Sequence, residues 1–284
     1  MSTLLTEAPT LYERKRRWIN RIVLILASVV TLIGLLIPIW ILGTVVMRGL
    51  NAFHLSLFTQ MTPPPDAAGG LWNAIVGSVT MVLSGTLIAT PVAIIAGIYL
   101  AEYGRHHKTA AFIRFINDIL LSAPSIVIGL FVYVIVVVPL HHFSGWAGAL
   151  SLAIIALPIM VRTTENMLLL VPDVLREGAL ALGASRRQTV LMVCLPAARN
   201  GIVTGVLLAL ARISGETAPL LFTALNNQFY SLNMNQPMAN LPVVIFQFAM
   251  SPYDNWQALA WAGAALISLS VVAINISARA LFKR

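Results

Sequence analysis

The sequence predicts an all-α integral membrane protein with six transmembrane helices, and three observations carry that prediction. Of its 284 residues, 58% are hydrophobic and only 10% are charged, with a mean hydropathy of +0.86; soluble domains carry roughly 25% charge. The apolar runs are about 17–25 residues long, the length that crosses a bilayer as a helix, and lipid admits only helices or closed barrels. All but two of the 18 basic residues fall in segments that alternate onto one side. That is the positive-inside pattern, and with an even number of spans it places both termini in the cytoplasm.

Residues 1–21 form a basic cytosolic tail ending in ERKRRWINR (13–21). The first helix follows at about Ile22–Val46, too long for a signal peptide and without a small-residue cleavage site. A Pro/Gly hinge, MTPPPDAAGG (61–70), ends the unit 22–68 and sets the first helix apart from a core at 69–284. The core spans are about Asn73–Tyr99, Phe115–Pro139, Trp146–Val161, Gly201–Leu225 and Leu259–Phe282. The longest cytosolic segment, 162–200, lies between the fourth and fifth. The outer loop 226–258 is nearly neutral and holds LPVVIFQFAM, which is too short to span and suits an interfacial or re-entrant helix.

Several functions are excluded. The net charge of +8 comes from residues flanking spans, with no aromatic interleaving or folded module, so nucleic acid is not a partner. Membrane lipid is. The one cysteine, Cys194, reads as a packing residue. A phosphate-cradling loop needs G-x-x-x-x-G-K-[ST], yet none of Lys15, Lys108 and Lys283 follows a glycine. Neither a nucleophile elbow nor an intramembrane His–Ser pair occurs, which leaves an intramembrane hydrolase without machinery. The pairs His106–His107 and His141–His142 lack a third ligand for a metal. Asp118 reads as solvated or capping, and Arg162 and Glu165 as snorkelling at the inner boundary.

The inner segment VPDVLREGALALGASRRQTVLMVCLPAARNG (171–201) reads as two helices about a turn. Pro172 and Asp173 suit a helix start, Gly183 suits a C-terminal cap, and a second helix runs from Arg186 to Val193 and stops at Pro196. Glu177, Gly178, Ala179, Gly183, Val193, Leu195 and Pro196 match, interval by interval, the "EAA" loop that the segment resembles in ABC importer permeases. Gly178 replaces an alanine there, weakening the helix by roughly 1 kcal/mol, and Val193 replaces isoleucine. The resemblance implies that this coupling helix, with the basic turn at Arg186 and Arg187, sits in a groove of a separate ATPase.

The fifth run contains ARISGETAPLLFTA (211–224). An ionised side chain at bilayer depth costs at least ~2.5–3.5 kcal/mol, so Arg212 and Glu216 need a partner or a task. Four residues apart, they share one helical face and can form an ion pair; Ser214 and Thr217 lie beside them, and Gly215 and Pro219 loosen the backbone. One reading is a salt bridge that fixes helix packing. The other is an anion path. An arginine fork matches phosphate oxygens bidentately, and a carboxylate can accept the proton of HPO₄²⁻, which sulfate does not offer.

This motif, with GGLWNAIVGSV (69–79) and LNNQFYSLNMNQPMANLP (225–242), resembles the PstA-type permease family of bacterial phosphate ABC importers. The likeness implies the fold of a type I, binding-protein-dependent importer permease. It also implies a substrate pathway at Arg212, Glu216, Ser214 and Thr217. The implied partners are a PstC-like second permease, a PstB-like ATPase dimer and a periplasmic phosphate-binding protein. No cofactor is expected on this chain, ATP and Mg residing on the ATPase. A permease for another oxyanion or small solute stays open. An ion-driven carrier using Glu216 for protons fits the EAA spacing less well, having no ATPase to dock. The charge bias is directly testable. Cysteines introduced as Thr62→Cys and Asn235→Cys should react with impermeant reagents from outside, and Arg186→Cys only after permeabilisation; external labelling at 186 would overturn the orientation.

Overall fold

The computed structural model describes residues 11–104 and 107–281. Arg105, His106, Lys283 and Arg284 therefore lie outside the described residues, with residues 1–10 of the N-terminal tail. Two compact units divide at Met47 and Arg48.

The first unit is one helix, the larger part of α1 (Leu11–Asn51). Its apolar side chains are exposed along its length, as suits a surface solvated by lipid. Trp18 and Trp40 stand roughly 33 Å apart at 1.5 Å per residue, matching a hydrocarbon core of ~30 Å with an aromatic residue at each boundary. Thr31 and Thr44 turn their hydroxyls back onto Ala27 O and Trp40 O, so neither presents a bare polar group to lipid.

The second unit is a helical bundle built on α2 (Trp72–Ile98) and α6 (Gly145–Leu169). Small residues let these backbones approach closely. A Cβ on Gly85 would lie 2.8 Å from Ala149 O, and one on Gly97 would lie 2.6 Å from Thr164. Met81, Ala89, Ala93, Leu152, Ala156 and Met160 fill the core between them. On α6 pack α3 (Lys108–Ser122) and α4 (Ser125–Val132), and α5 (Val138–Leu140) follows α4 along the chain. Beyond it come α7 (Asp173–Ala181), α8 (Arg186–Gln188), α9 (Leu195–Ile213) and α10 (Ala218–Thr223). The chain closes with α11 (Leu241–Ala249) and α12 (Asp254–Leu281), where Phe248 stacks on Trp256 at 4.5 Å.

Among the described residues five helices are long and apolar enough to cross a membrane, or six where a bent pair counts as one span. That pair replaces the single third helix expected from the sequence: α3 and α4 meet at 106°. Pro124 is the cause. Its ring disfavours the helical region for the residue before it, and Ala123 is extended at φ −67°, ψ 134°.

The fifth span also differs from expectation. It runs from Arg186 to Ile213 and not from 201 to 225. Pro196 does not stop it, because a π-helical segment, Thr189–Cys194, precedes the proline. A second π segment, Tyr133–Val137, precedes Pro139 in the same way. A proline lacks the N–H for the bond to residue i−4 and its ring presses on that carbonyl; a wider turn just upstream relieves both. At the other end, Ser214 Oγ bonds Leu210 O at 2.7 Å, Gly215 is a poor helix former, and Pro219 cannot donate to Gly215 O. The helix ends there.

The outer loop is held by amides. Asn73, buried at the start of α2, accepts from Thr62 N and donates to Thr62 Oγ1, Asn227 O and Gln228 O, all at 3.0–3.1 Å. Asn240 caps α11 by accepting from Val243 N, so the expected short helix in LPVVIFQFAM is present. Glycine packing at this end is unforgiving: a Cβ on Gly77 would sit 2.0 Å from Ala239 O, whereas one on Gly34 meets nothing within 4 Å. Gly77→Ala should destabilise the purified subunit by about 1–3 kcal/mol through overpacking, read as lost thermal stability in detergent, while Gly34→Ala should leave it unchanged or slightly raised.

Candidate functional site

Two regions carry the sequence-derived site residues. The first is the turn after α6. Pro172 is the residue before α7, with φ −61° and ψ 140°, and Asp173 opens the helix. At the far end Gly183 takes φ +87°, a left-handed conformation that glycine adopts at little cost. Ala184 N donates to Ala179 O at 3.1 Å and Gly183 N to Leu180 O at 3.0 Å, the paired bonds of a Schellman cap. Ser185 then starts the next helix with a full capping box: Ser185 Oγ accepts from Gln188 N, and Gln188 Oε1 accepts from Ser185 N at 2.8 Å. Two helix ends are thus finished within three residues, which makes the turn rigid.

Glu177, Gly178, Gly183, Arg186 and Arg187 are all exposed, and Ala179 is half-buried. Val174 and Leu182, at 75% and 91% exposure, add apolar surface to the same small helix. Sequence reasoning missed what holds α7 in place. Arg176, only 12% exposed, donates Nη2 to Glu102 Oε1 at 2.7 Å and Nε to Oε2 at 3.2 Å. It also reaches Leu168 O at 2.8 Å, Val171 O, and Asp173 at 3.0 Å. The hydrogen bond it donates to Glu102 holds the guanidinium charged, raising its pKa above the ordinary arginine value against the opposing pull of burial. Glu102 and Arg176 are 74 residues apart in sequence, and no local pattern pairs them. A cavity of about 190 Å³ lies beside them, lined also by Tyr103, Leu180, Arg186 and Thr189.

The second region is the end of α9. Arg212 occupies its last turn, where a cation complements the helix dipole, and Glu216 lies past the break. The two are therefore not on one continuous helical face, as the spacing suggested. Their nearest approach is Nε to Oε1 at 3.9 Å, too long for a hydrogen bond. Arg212 is 55% exposed and Glu216 17%. Ser214 turns its hydroxyl back to Leu210 O and lines an apolar cavity of about 300 Å³ with α2 and α12. Thr217 is half-buried just before α10. The break is braced by α4, since a Cβ on Gly129 would fall 2.5 Å from Pro219 Cα.

The other charged candidates resolve differently. Glu165 does not snorkel: it is 4% exposed and accepts from Arg114 Nε at 2.7 Å. Arg162 and Asp118 form a loose exposed contact at 3.9 Å. Cys194 is fully buried, in a cluster with Leu168, Val171 and Ile202.

Residues 93–284 match the model of a family described as the binding-protein-dependent transport system inner membrane component. The phosphate transport system permease protein PstA of Haemophilus influenzae is 59% identical, the match covering 96% of each chain. The protein of that name from Yersinia pestis is 58% identical over 95% of this chain and 92% of its own. The chain belongs to the PstA-type permease family. A probable PstA from Methanocaldococcus jannaschii extends the family at 35% identity over 93% of each chain. As a family member the chain is a multi-pass component of the inner membrane and part of a binding-protein-dependent transport system. Its fold is that of a transporter permease: a chain from the inward-facing MetNI methionine ABC transporter superposes with a TM-score of 0.62 at 20% identity, covering 74% of this chain and 95% of that one.

The geometry of the turn generates its own prediction. Gly183→Val places a β-branched residue in the left-handed region, at a cost of about 1–2 kcal/mol or more. Amides 183 and 184 should then exchange hydrogen roughly 5- to 30-fold faster, with Gly183→Asn showing a smaller change because asparagine tolerates this region.

Proposed function

We propose that this chain forms half of the translocation pore of an ATP-driven importer of inorganic phosphate. It does no covalent chemistry and binds no cofactor. ATP and Mg belong to a PstB-like ATPase dimer, the other half of the pore to a PstC-like permease, and delivery to a periplasmic phosphate-binding protein. The names of the curated relatives support phosphate as substrate. The rigid, exposed α7 turn supports docking of an ATPase at the face carrying Glu177, Gly178, Ala179, Gly183, Arg186 and Arg187. Closure of the ATPases on ATP would push α7 and switch the pore from inward to outward access.

The observation that carries the substrate pathway is the loose Arg212–Glu216 contact at a broken span. Backbone breaks at membrane depth persist where protein covers them or where they line a wet cavity. A half-exposed arginine there has the same need, and a pore between two permeases meets both. At 3.9 Å from its carboxylate, the guanidinium keeps its fork of donors free for an oxyanion. Glu216 holds it in place between passages, and offers a proton acceptor that favours hydrogen phosphate over sulfate. Ser214 and Thr217 supply hydroxyls at the same break.

Variants separate this reading from a purely structural ion pair. Arg212→Gln should insert and assemble yet lose phosphate uptake by about tenfold or more, since a hydrogen bond to a charged group contributes about 1.5–3 kcal/mol. Arg212→Lys should restore uptake only in part, because it keeps the charge without the fork. The double variant Arg212→Gln with Glu216→Gln should fail as well. Uptake of radiolabelled phosphate, normalised to assembled complex, is the measurement; full uptake by the double variant would make the pair structural.

A further inference from the structure

Two arginines grip one short turn from different helices, one through its backbone and one through a side chain. That turn is the π-helical segment Tyr99–Tyr103 that ends α2, closed by Gly104 N donating to Tyr99 O at 2.7 Å. From α7, Arg176 takes both oxygens of Glu102. From α3, Arg114 donates Nη2 to Leu100 O at 3.1 Å while its Nε holds Glu165 of α6 at 2.7 Å. Arg176 also reaches Leu168 O in the last turn of α6. The π turn is thereby joined to α3, α6 and α7 at once.

The attachment of α7 is unusual. None of its nine residues is fully buried, so little apolar packing resists its displacement. The Glu102 and Arg176 side chains, in contrast, are 9% and 12% exposed. Apolar contacts slide past one another with small changes in energy. A fork of charged hydrogen bonds, set away from water, is stronger and fixes direction as well as distance.

We propose that the Glu102–Arg176 pair is the joint through which displacement of α7 reaches the membrane-spanning bundle, both residues acting as positioning residues for transport. This rests on the reading that α7 docks an ATPase. Beyond the joint, the grip of Arg114 on Leu100 O leads into α3 and so to its bend at Ala123–Pro124. Past that bend Gly129 of α4 lies against Pro219, three residues from Glu216. A push on α7 therefore meets rigid contacts on the way to the broken span, and Glu102–Arg176 is the first of them.

The test uses the complete transporter, with both permeases, ATPases and binding protein, reconstituted in vesicles where ATP hydrolysis and phosphate uptake are measured together. Glu102→Gln, which keeps the shape and removes the charge, should leave the ATPase bound and hydrolysing. Phosphate imported per ATP hydrolysed should fall about fivefold or more, the low end of couplings between sites. Arg176→Lys should give an intermediate ratio, and Glu102→Arg combined with Arg176→Glu should recover part of the loss. If the pair only stabilises the fold, less complex assembles but the ratio in what assembles stays at the wild-type value; that result for both Glu102→Gln and Arg176→Lys overturns the proposal. A separate arm tests the reading beneath it: Val174→Ser with Leu182→Ser alters only the exposed face of α7. Weakened ATPase binding in that variant supports docking there, and unchanged binding and hydrolysis would remove the docking, whatever the ratio in the charge variants.

Discussion

The close approach of α2 and α6 is the constraint on which the rest of this fold depends. Lipid gives apolar side chains no reason to leave it for one another, so helices in a membrane associate by packing and by polar contacts. Gly85 and Gly97 on α2 bring its backbone against Ala149 O and Thr164 of α6, with Gly148 of α6 placed against Met81 in return. Once those axes are set, the C-terminal ends of both helices emerge together. That is why Glu102 and Leu168 O stand near enough for one guanidinium to reach both. It is also why Glu165 is buried where Arg114 can meet it.

Breaks in the helices are the second theme, and each has a local cause. Ala123–Pro124 bends one span and Ser214–Gly215 ends another, while Pro139 and Pro196 are absorbed by π turns. The two breaks are brought together by Gly129 and Pro219. A continuous helix presents satisfied backbone to its surroundings and little else. Interrupting two of them at one place brings the Ser214 and Thr217 hydroxyls and the Arg212–Glu216 contact into a region that is otherwise apolar.

Much of this was legible in the residues. Long apolar runs and the charge bias marked the spans, and Gly183 announced its left-handed cap through spacing alone. The short helix within the outer loop was legible too, from an apolar piece too brief to cross. The end of α9 was not. An apolar run continues through Leu225, and hydropathy does not register that Ser214, Gly215 and Pro219 together interrupt hydrogen bonding inside it. The bend at Pro124 was passed over for the same reason. Glu165 was misread because its partner Arg114 lies 51 residues away, and Arg176 was missed because Glu102 lies 74 away. Periodicity reports what one helix does with its own faces, and pairings of this kind exist only after helices have docked.

Those separations have a consequence for how the protein is made. Chains grow at about 5–20 residues per second, so Arg114 leaves the ribosome roughly 3–10 s before Glu165, and Glu102 roughly 4–15 s before Arg176. During that interval each charge is in or near the bilayer with its partner not yet synthesised. Helices α2 and α3 must therefore wait at the membrane surface, in the insertion machinery or with their charged ends among headgroups, until α6 and α7 arrive. Integration of this bundle is in that sense retrospective: the early spans are completed by residues translated seconds later.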